Sequence, residues 1–486
     1  MSEKLPKSMP TPRNGENAIP RLANSQPFID FMAKGWESPE LPAPVDAAAA
    51  QAAALHRENL SAAFAGQGIM VFAGHAPVRA NDNFHEFRAH SDFMYLVNAQ
   101  VEAAVLLGHP RSGGHDFELF LPVPYAPGTA DFFSNAIHGE LWVGPSHKPA
   151  DWQRALGIPV RSIQELDSAV RAGRFQAAGA VDSNELARLN AQDSPALKRV
   201  LSRLRMVKDD WEIGQLRASV DHTIDGFRQV LAEIPQAIAS GGERWLQGTF
   251  DRAARTYGNG PGYATIIGAG IHAPTLHWTR CDGPVREDQL LLLDMGVEER
   301  SCYTADVTRT FPVAGSFTDA QRQVHDLVEK SHRAGLAALA PGKPFSDFHF
   351  ACMEEIAKGL HDWDLLPVSV DEALSPTGQQ HRRWLVCGVG HHLGLDVHDC
   401  SHSHSHYEDY QGALLEENMV LTVEPGLYFH AHDAMVPPEL RGLGVRIEDD
   451  LLITATGYEN LSGELPLDAS GLEQWMTRAM NLAVRA

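Results

Sequence analysis

The sequence is poor in cysteine, in positive charge and in long apolar runs, and each shortage excludes a class of protein. Five cysteines in 486 residues are too few for a disulfide framework and favour a reducing compartment. Spanning a membrane takes about 18 consecutive apolar residues, and the sequence has no such run. The 40 Lys and Arg residues are outnumbered by 62 Asp and Glu, a net charge of −22 with His neutral. Neither nucleic acid nor an anionic membrane surface is therefore predicted as a partner.

The remaining composition is typical of a soluble globular protein. Hydrophobic residues make up 44% and charged residues 21% of the chain, close to the usual values. The first residues, MSEKLPKSMPTP, contain no apolar core of a secretory signal, so we expect a cytoplasmic protein. Histidine is abundant, with 24 residues, which directs attention to metal or proton chemistry.

The chain is predicted to form an arm followed by two domains of the α/β (α+β) class. Residues 1–45 are rich in Pro, Asn and Ser without sustained periodicity, which indicates an extended N-terminal arm. Residues 46–198 combine predicted helices with short apolar runs. Residues 199–486 begin with a long amphipathic helix over 208–233, after which strands and helices alternate.

Local patterns predict the elements of the first domain. An Ala-rich stretch over 46–64 favours a helix. Short apolar runs bounded by Gly, Pro, Asn or His predict strands at 68–73, 92–97, 103–107 and 118–123.

Two aspartates in the second domain follow the pattern of a hairpin. The apolar run Leu290–Leu293 leads into Asp294, and a returning segment after a polar turn contains Asp306. A hairpin centred on residue 300 would place the two Asp side chains directly opposite each other, with Cβ atoms roughly 4.5–5.5 Å apart. Two like charges that close are destabilising unless a cation lies between them or one is protonated.

Two further apolar strands also end in an acid. Met419–Val423 leads into Glu424, and Leu443–Ile447 leads into Glu448. An acid at a strand end is often only a surface residue, but several acids with apolar lead-ins favour a buried metal site. A Gly- and His-rich segment around His391 offers an imidazole. Four carboxylates with one imidazole suit Mn²⁺, with Zn²⁺, Co²⁺ or Fe²⁺ as alternatives.

Taken together, these motifs resemble the Xaa-Pro aminopeptidases (aminopeptidase P), which are pita-bread metallopeptidases. The motifs are Asp294-Met-Gly, Asp306-Val-Thr-Arg-Thr-Phe-Pro312, Gly390-His391-His-Leu-Gly-Leu-Asp-Val-His398-Asp, Thr422-Val-Glu424-Pro-Gly-Leu-Tyr428 and Gly444-Val-Arg446-Ile-Glu448-Asp-Asp450. The likeness includes Thr275-Leu-His277-Trp278 and an N-terminal segment, residues 87–96, that resembles a creatinase-type domain. The resemblance implies a creatinase-like N-terminal α/β domain followed by a pita-bread catalytic domain.

The resemblance also implies a site and a reaction. Two divalent metal ions would be held by Asp294, Asp306, His391, Glu424 and Glu448. A metal-bridging hydroxide would attack the bond between an N-terminal residue and a following proline, with Glu424 moving the proton. His391 rather than His392 is the implied ligand, because the second His of the motif is His398.

Other residues would act on the substrate side. His277 and His398 would donate hydrogen bonds to the substrate, and Arg446 and Tyr428 would support the site. Cys387 stands on the substrate side, where the family usually has His.

The tract His402-Ser-His404-Ser-His406 could bind stray metal, but a solvated loop near the cleft is favoured. The implied partners are peptides with proline in second position, and the implied assembly is a homo-oligomer, a dimer or a tetramer. A prolidase that splits only dipeptides, or a non-catalytic pita-bread binding protein, are the alternatives.

Overall fold

The computed structural model describes residues 25–170 and 173–483. By its internal contacts the chain divides into two compact units, Met1–Leu201 and Ser202–Ala486, and the division falls within the helix Pro195–Met206. Residues 1–24 of the predicted arm lie outside the described residues. In the remainder of the arm, Gln26–Met32 form a helix.

The amino-terminal unit alternates helices with the strands of a mixed sheet. Its helices are α1 (Gln26–Met32), α2 (Ala47–Ala63), α3 (Ser91–Val97), α4 (Asp131–Ser134), α5 (Glu140–Val143), α6 (Pro149–Leu156), α7 (Leu166–Ala169) and α8 (Ser183–Arg188), followed by α9 (Pro195–Met206) at the division. Its strands are β1 (Gly68–Phe72), β2 (Val78–Ala80), β3 (Asn83–Phe84), β4 (Val105–Arg111), β5 (Gly114–Leu121), β6 (Val160–Ser162), β7 (Phe175–Gly179) and β8 (Ala191–Asp193). The large sheet has the order β6-β5-β4-β1-β7-β8. The buried strand β1 pairs antiparallel with β4 and parallel with β7, as expected for an apolar run at the centre of a sheet.

One strand predicted in this unit is wrong. Residues 92–97 belong to α3, all of whose residues are buried. A short, continuously apolar run fits a buried strand and a buried helix equally well. The helix is decided by its ends, because the His90 ring accepts the Asp92 N–H and Asn98 closes it in the left-handed conformation.

The carboxy-terminal unit contains longer helices and several small antiparallel sheets. Its helices are α10 (Asp210–Ala232), α11 (Ile234–Ala239), α12 (Gly242–Tyr257), α13 (Asp319–Ala338), α14 (Ser346–Asp362), α15 (Val370–Leu374), α16 (Ser401–His404) and α17 (Ala469–Ala483). Its strands are β9 (Gly260–Pro261), β10 (Ile266–Ala269), β11 (Leu290–Met295), β12 (Val297–Glu298), β13 (Val307–Pro312), β14 (Val420–Val423), β15 (Gly426–Tyr428), β16 (Gly444–Arg446), β17 (Asp449–Thr454) and β18 (Gly457–Asn460). The predicted α/β class is confirmed.

Three of these sheets surround the acidic strand ends. They have the orders β10-β11-β13, β14-β17-β18 and β15-β16, and an isolated bridge between Thr308 and Glu448 links β13 to the turn before β17. The long helices bury one face on this framework. The first of them, α10, begins with a capping box, in which Asp209 and Glu212 each accept the other's backbone N–H.

Within residues 25–170 and 173–483, no helix combines the length and apolarity that crossing a membrane requires.

Candidate metal centre

The hairpin of β11 and β13 brings the first two aspartates together, but in a different register from the one predicted. Asp294 pairs with Thr308 and Met295 with Val307, so the predicted direct pairing of Asp294 with Asp306 is wrong. The turn closes with a Glu298–Thr304 bridge and contains Cys302 at φ 70°, and the hairpin is centred on residue 301 and not on residue 300, which moves the partner of Asp294 by two residues. Asp306 is two residues from Thr308 and keeps the same side of the strand, so both carboxylates still face one site.

Three predicted ligands converge on one point. Asp306, His391 and Glu448 each offer a ligand atom within 4.8 Å of those of the other two. Nε2 of His391 lies 3.4 Å from Oδ2 of Asp306 and 3.6 Å from Oε1 of Glu424. Glu424 therefore stands beside this group on the His391 side.

Backbone and side-chain contacts from β13 position Glu448. Its N–H donates to the carbonyl of Thr308 at 3.1 Å, and the Thr308 hydroxyl donates to Oε2 at 2.6 Å. The fully buried guanidinium of Arg309 donates to the Glu448 carbonyl and to Oδ1 of Asp449, both at 2.6 Å. The neighbouring strand therefore holds Glu448 in position without a contribution from a metal ion.

Asp294 has its own set of partners. The Tyr263 hydroxyl donates to Oδ1 at 2.6 Å, and Arg446 donates to Oδ2. Arg446 also donates to the Tyr428 hydroxyl at 3.0 Å and to the Thr308 hydroxyl at 3.1 Å. Asp294 is therefore connected to the Glu448 side of the centre through Arg446 and Thr308.

The loop after α15 and the strand β14 orient His391. Its N–H donates to the Thr422 hydroxyl at 3.1 Å, and Nδ1 lies 3.1 Å from the carbonyl of His392. A carbonyl at Nδ1 keeps a proton on that nitrogen, so Nε2, which faces the carboxylates, is the nitrogen that would give up its proton to bind a metal ion. The neighbouring His392 ring instead packs between Phe345 and Tyr410.

Burial and mutual repulsion raise the pKa of Asp294, Glu424 and Glu448. Burial raises the pKa of Asp294 above its ordinary value, raises that of Glu424 to about 7, and places that of Glu448 well above its ordinary value. Burial lowers the pKa of His391, but the contact with Asp306 and the charge of Glu424 raise it overall to about 9. Buried carboxylates that repel one another are stabilised by a cation. The residues present therefore fit divalent metal ions, since carboxylates with one imidazole are a suitable ligand set.

Of the predicted substrate-side residues, His398 and Cys387 lie next to this group. The rings of His398 and His391 are 4.3 Å apart in an edge-to-face arrangement, and His277 and His398 both retain exposure to solvent. Burial lowers the pKa of His398, and the neighbouring charge of His391 lowers it further. Cys387 is half-buried, and burial followed by the charge of Glu424 raises its pKa to about 11.

Sequence reasoning missed several residues that support the centre. Tyr263, which donates to Asp294, carries no motif. Asp450 is fully buried and accepts the Asp306 N–H at 3.1 Å through Oδ2, whereas its Oδ1 has no hydrogen-bond partner among the residues that the structure describes. The sequence offered two signals for these supporting residues. Asp450 ends the motif Glu448-Asp-Asp450, and Thr308 lies two residues after Asp306.

Comparison with known families matches both parts of the chain. Residues 215–455 match Metallopeptidase family M24, and residues 53–177 match the aminopeptidase P N-terminal domain. Xaa-Pro aminopeptidase 2 of Streptomyces coelicolor is 44% identical, over 92% of this chain and 95% of that relative. Xaa-Pro aminopeptidase 1 of the same organism is 41% identical, over 98% and 99%.

Solved structures agree with the sequence relatives. The low-pH form of Escherichia coli aminopeptidase P superposes with a TM-score of 0.78 at 27% identity, covering 91% of this chain and 99% of that one. The same enzyme with the inhibitor Pro-Leu gives 0.78 at 27%, covering 90% and 99%. These matches confirm the predicted creatinase-like and pita-bread architecture, and they support the aminopeptidase resemblance over the prolidase and non-catalytic alternatives. An M24 metallopeptidase uses divalent metal ions, and the clustered acids fit such ions. The chain belongs to the Xaa-Pro aminopeptidase family.

Proposed function

We propose that this chain removes an N-terminal amino acid from peptides whose second residue is proline, with two divalent metal ions as cofactors. The observation that carries the proposal is the buried convergence of Asp306, His391 and Glu448, with Glu424 beside it and Asp294 tied to it. The oxygen-rich ligand set favours Mn²⁺, with Zn²⁺, Co²⁺ and Fe²⁺ as alternatives. The proposed ligands are these five side chains.

The side chains of the site would have different roles in the reaction. When bound, the metal ions supply an activated water and polarise the scissile carbonyl. The Glu424 side chain is 20% exposed, against 9% for Asp294 and 8% for Asp306. It is thus the ligand best placed to accept a proton and return it to the leaving proline nitrogen.

The substrate side is formed by histidines and by the groups that hold Asp294. His277 and His398 donate hydrogen bonds to substrate oxygens as negative charge develops. Arg446 and Tyr428, both buried, keep Asp294 in place, and Cys387 borders the substrate.

Location is proposed from the state of the cysteines, and assembly from the family and from exposed apolar side chains. The five cysteines are all free, which supports a reducing, cytoplasmic location. A homo-oligomer, a dimer or a tetramer, is proposed from the family, and the exposed apolar side chains Leu141, Trp142 and Val143 favour association. Light scattering on the purified protein would measure the mass.

A peptide panel tests the reaction. We expect the Mn²⁺-loaded protein to release the first residue from Xaa-Pro-Yaa peptides and to leave Xaa-Ala-Yaa peptides intact. Chelation should abolish this activity and Mn²⁺ should restore it. Cleavage of Xaa-Pro dipeptides alone would identify a prolidase instead.

The same assay tests the metal ligands. Asp306→Ala should lower kcat/KM at least ~100-fold, since even the outer partners of metal ligands are worth about 10–100-fold. Glu417→Ala, which removes an exposed acid of the same unit, is the control and should match the unaltered protein. Near-normal rates for Asp306→Ala with Mn²⁺ present would contradict the assignment.

A further inference from the structure

Glu243 is a fully buried carboxylate outside the metal centre, and its hydrogen bonds all hold one segment of chain. It lies in the first turn of α12. Oε1 accepts the Ala269 N–H and a hydrogen bond from Nδ1 of His272, both at 2.8 Å. Oε2 accepts the Trp278 indole N–H at 2.8 Å and the Gly283 N–H at 2.7 Å. A buried charge is tolerated only with such partners. Because all four bonds end on one carboxylate, its loss would remove all of them at once.

The segment held in this way, residues 269–283, carries His277. Two of the four donors, His272 and Trp278, lie on either side of it in sequence, and their rings stack 3.9 Å apart. The His277 carbonyl accepts the Thr279 N–H at 3.0 Å. The segment is therefore a set of tight turns gathered around one carboxylate.

The packing leaves the segment little freedom to shift. A Cβ on Gly283 would lie 2.3 Å from the His272 ring, and the Arg280 guanidinium lies over the Trp278 ring at 4.1 Å. If Glu243 lost its acceptors, the amides of Ala269 and Gly283 and the indole of Trp278 would be buried without partners.

We infer that Glu243 is a positioning residue, which fixes the 269–283 segment and thereby places His277 for substrate binding. The inference rests on the proposed function, because it takes His277 to contact the substrate. Glu243 itself makes no hydrogen bond to the proposed metal ligands among its described contacts. Its loss should therefore leave metal content unchanged.

Glu243→Gln tests the anchor directly. Gln keeps one acceptor oxygen but turns an amide donor toward two of the four donors, so the segment should open more often. Arg280 is an exposed tryptic site within it, and cleavage there reports local opening independently of peptidase activity. We expect cleavage at Arg280 to be at least ~10-fold faster, with an unchanged metal content, since a hydrogen bond to a charged group is worth about that factor.

A double-mutant cycle with His277→Ala tests positioning. Alone, Glu243→Gln should lower kcat/KM about 10-fold. In the His277→Ala background the same change should have less than a ~2-fold effect, because its target is gone. An equal loss in both backgrounds, or unchanged cleavage at Arg280, would overturn the inference.

Two further variants secure the result. Glu473→Gln removes a carboxylate that holds the Phe317 amide and Arg322, far in sequence from His277, and should change neither readout. Trp278→Phe removes only one donor and keeps a ring, so it should give a smaller effect in the same direction and carries the test if Glu243→Gln does not fold. If unaltered protein fails on Xaa-Pro-Yaa peptides, the proposed function is refuted, whereas cleavage at Arg280 still decides the anchor.

Discussion

Cys387 is the residue at which this chain departs from the pattern of its family. The family usually has His there, whereas this chain has a half-buried thiol whose pKa burial and the Glu424 charge raise to about 11. The thiol therefore stays protonated at neutral pH and is only a weak hydrogen-bond donor. If this position contacts the substrate as proposed, the thiol would donate a weaker hydrogen bond there than an imidazole could.

Cys387→His is expected to raise turnover. An imidazole donates a stronger hydrogen bond to a developing negative charge than a thiol does, and one such donor is worth about 10²–10³-fold in kcat. We expect a several-fold gain here, because the thiol already supplies a weak donor. Steady-state kcat on an Xaa-Pro-Yaa peptide is the measurement. Cys387→Ala, which removes the thiol without supplying a donor, should not share the gain, and an unchanged or lower kcat for Cys387→His would count against a lost contact.

At the residue scale, motifs predicted the candidate ligands but not all of their supports. The five proposed ligands and Arg446 belong to contiguous motifs in which residue type and order carry information. Tyr263 and Glu243 reach their partners only through the fold, at 2.6 and 2.8 Å. Tyr263 lies in a bend and Glu243 on a helix, and neither belongs to a pattern that distinguishes it in the sequence.

At the scale of elements, the contact between β13 and the turn before β17 holds the two halves of the acidic cluster together. Thr308 projects one hydroxyl that donates to Glu448 and accepts from Arg446, so a single side chain joins the two halves of the acidic cluster. Thr308 is fully buried, and neither partner can turn to water instead.

Thr308→Val should weaken metal binding and activity while leaving the strand intact. Valine keeps the shape and the β-branch but leaves Oε2 of Glu448 and Nε of Arg446 each one hydrogen bond short. Supporting bonds of this kind are worth about 10–100-fold in metal affinity or activity. Titration with Mn²⁺ followed by activity is the measurement.

Thr310→Val, two residues along the same strand, is the matched control. Within the described part of the chain its hydroxyl bonds only to the backbone of Arg446, at 3.2 Å, so its effect on Mn²⁺ affinity should be clearly smaller. Equal effects of the two substitutions would assign the loss to the strand and not to the Glu448 contact.

The type of most elements could be predicted, but register and short buried runs could not. The capping box at Thr318 and Gln321, for example, predicts the start of α13, and the structure confirms it. The β11–β13 register depended on how the turn around Cys302 closes, which no periodicity specifies. The helix α3 was predicted as a strand because its burial on all sides removed the period that separates the two structures.

At the scale of the whole molecule, order and length of the motifs predicted two α/β parts, and composition predicted a globular protein. Composition could not say which of the 24 histidines would be buried. That property depends on tertiary packing, and it determines how the stability of the molecule responds to acid.

His349 illustrates that response. It is half-buried on α14, and burial, followed by the positive charges of Arg382 and His381, lowers its pKa from 6.5 to about 4. Between these two pH values the unfolded chain binds a proton at this position and the folded protein does not. The contribution of His349 to stability is therefore lost as the pH falls from about 6.5 toward 4.

His349→Gln should consequently make the protein less sensitive to acid. Glutamine stays neutral in both states, so the fall in Tm between pH 7 and pH 5 should be smaller than in the unaltered protein by roughly 2–4 °C, the shift that ~1 kcal/mol produces in a large domain. Calorimetry at several pH values, compared as slopes and not as absolute Tm, removes any packing effect of the substitution itself. His402→Gln alters an exposed histidine and should keep the slope of the unaltered protein. If His349→Gln loses Tm as steeply as the unaltered protein, acid destabilisation arises at other buried histidines, for instance His332, whose pKa burial lowers to about 4.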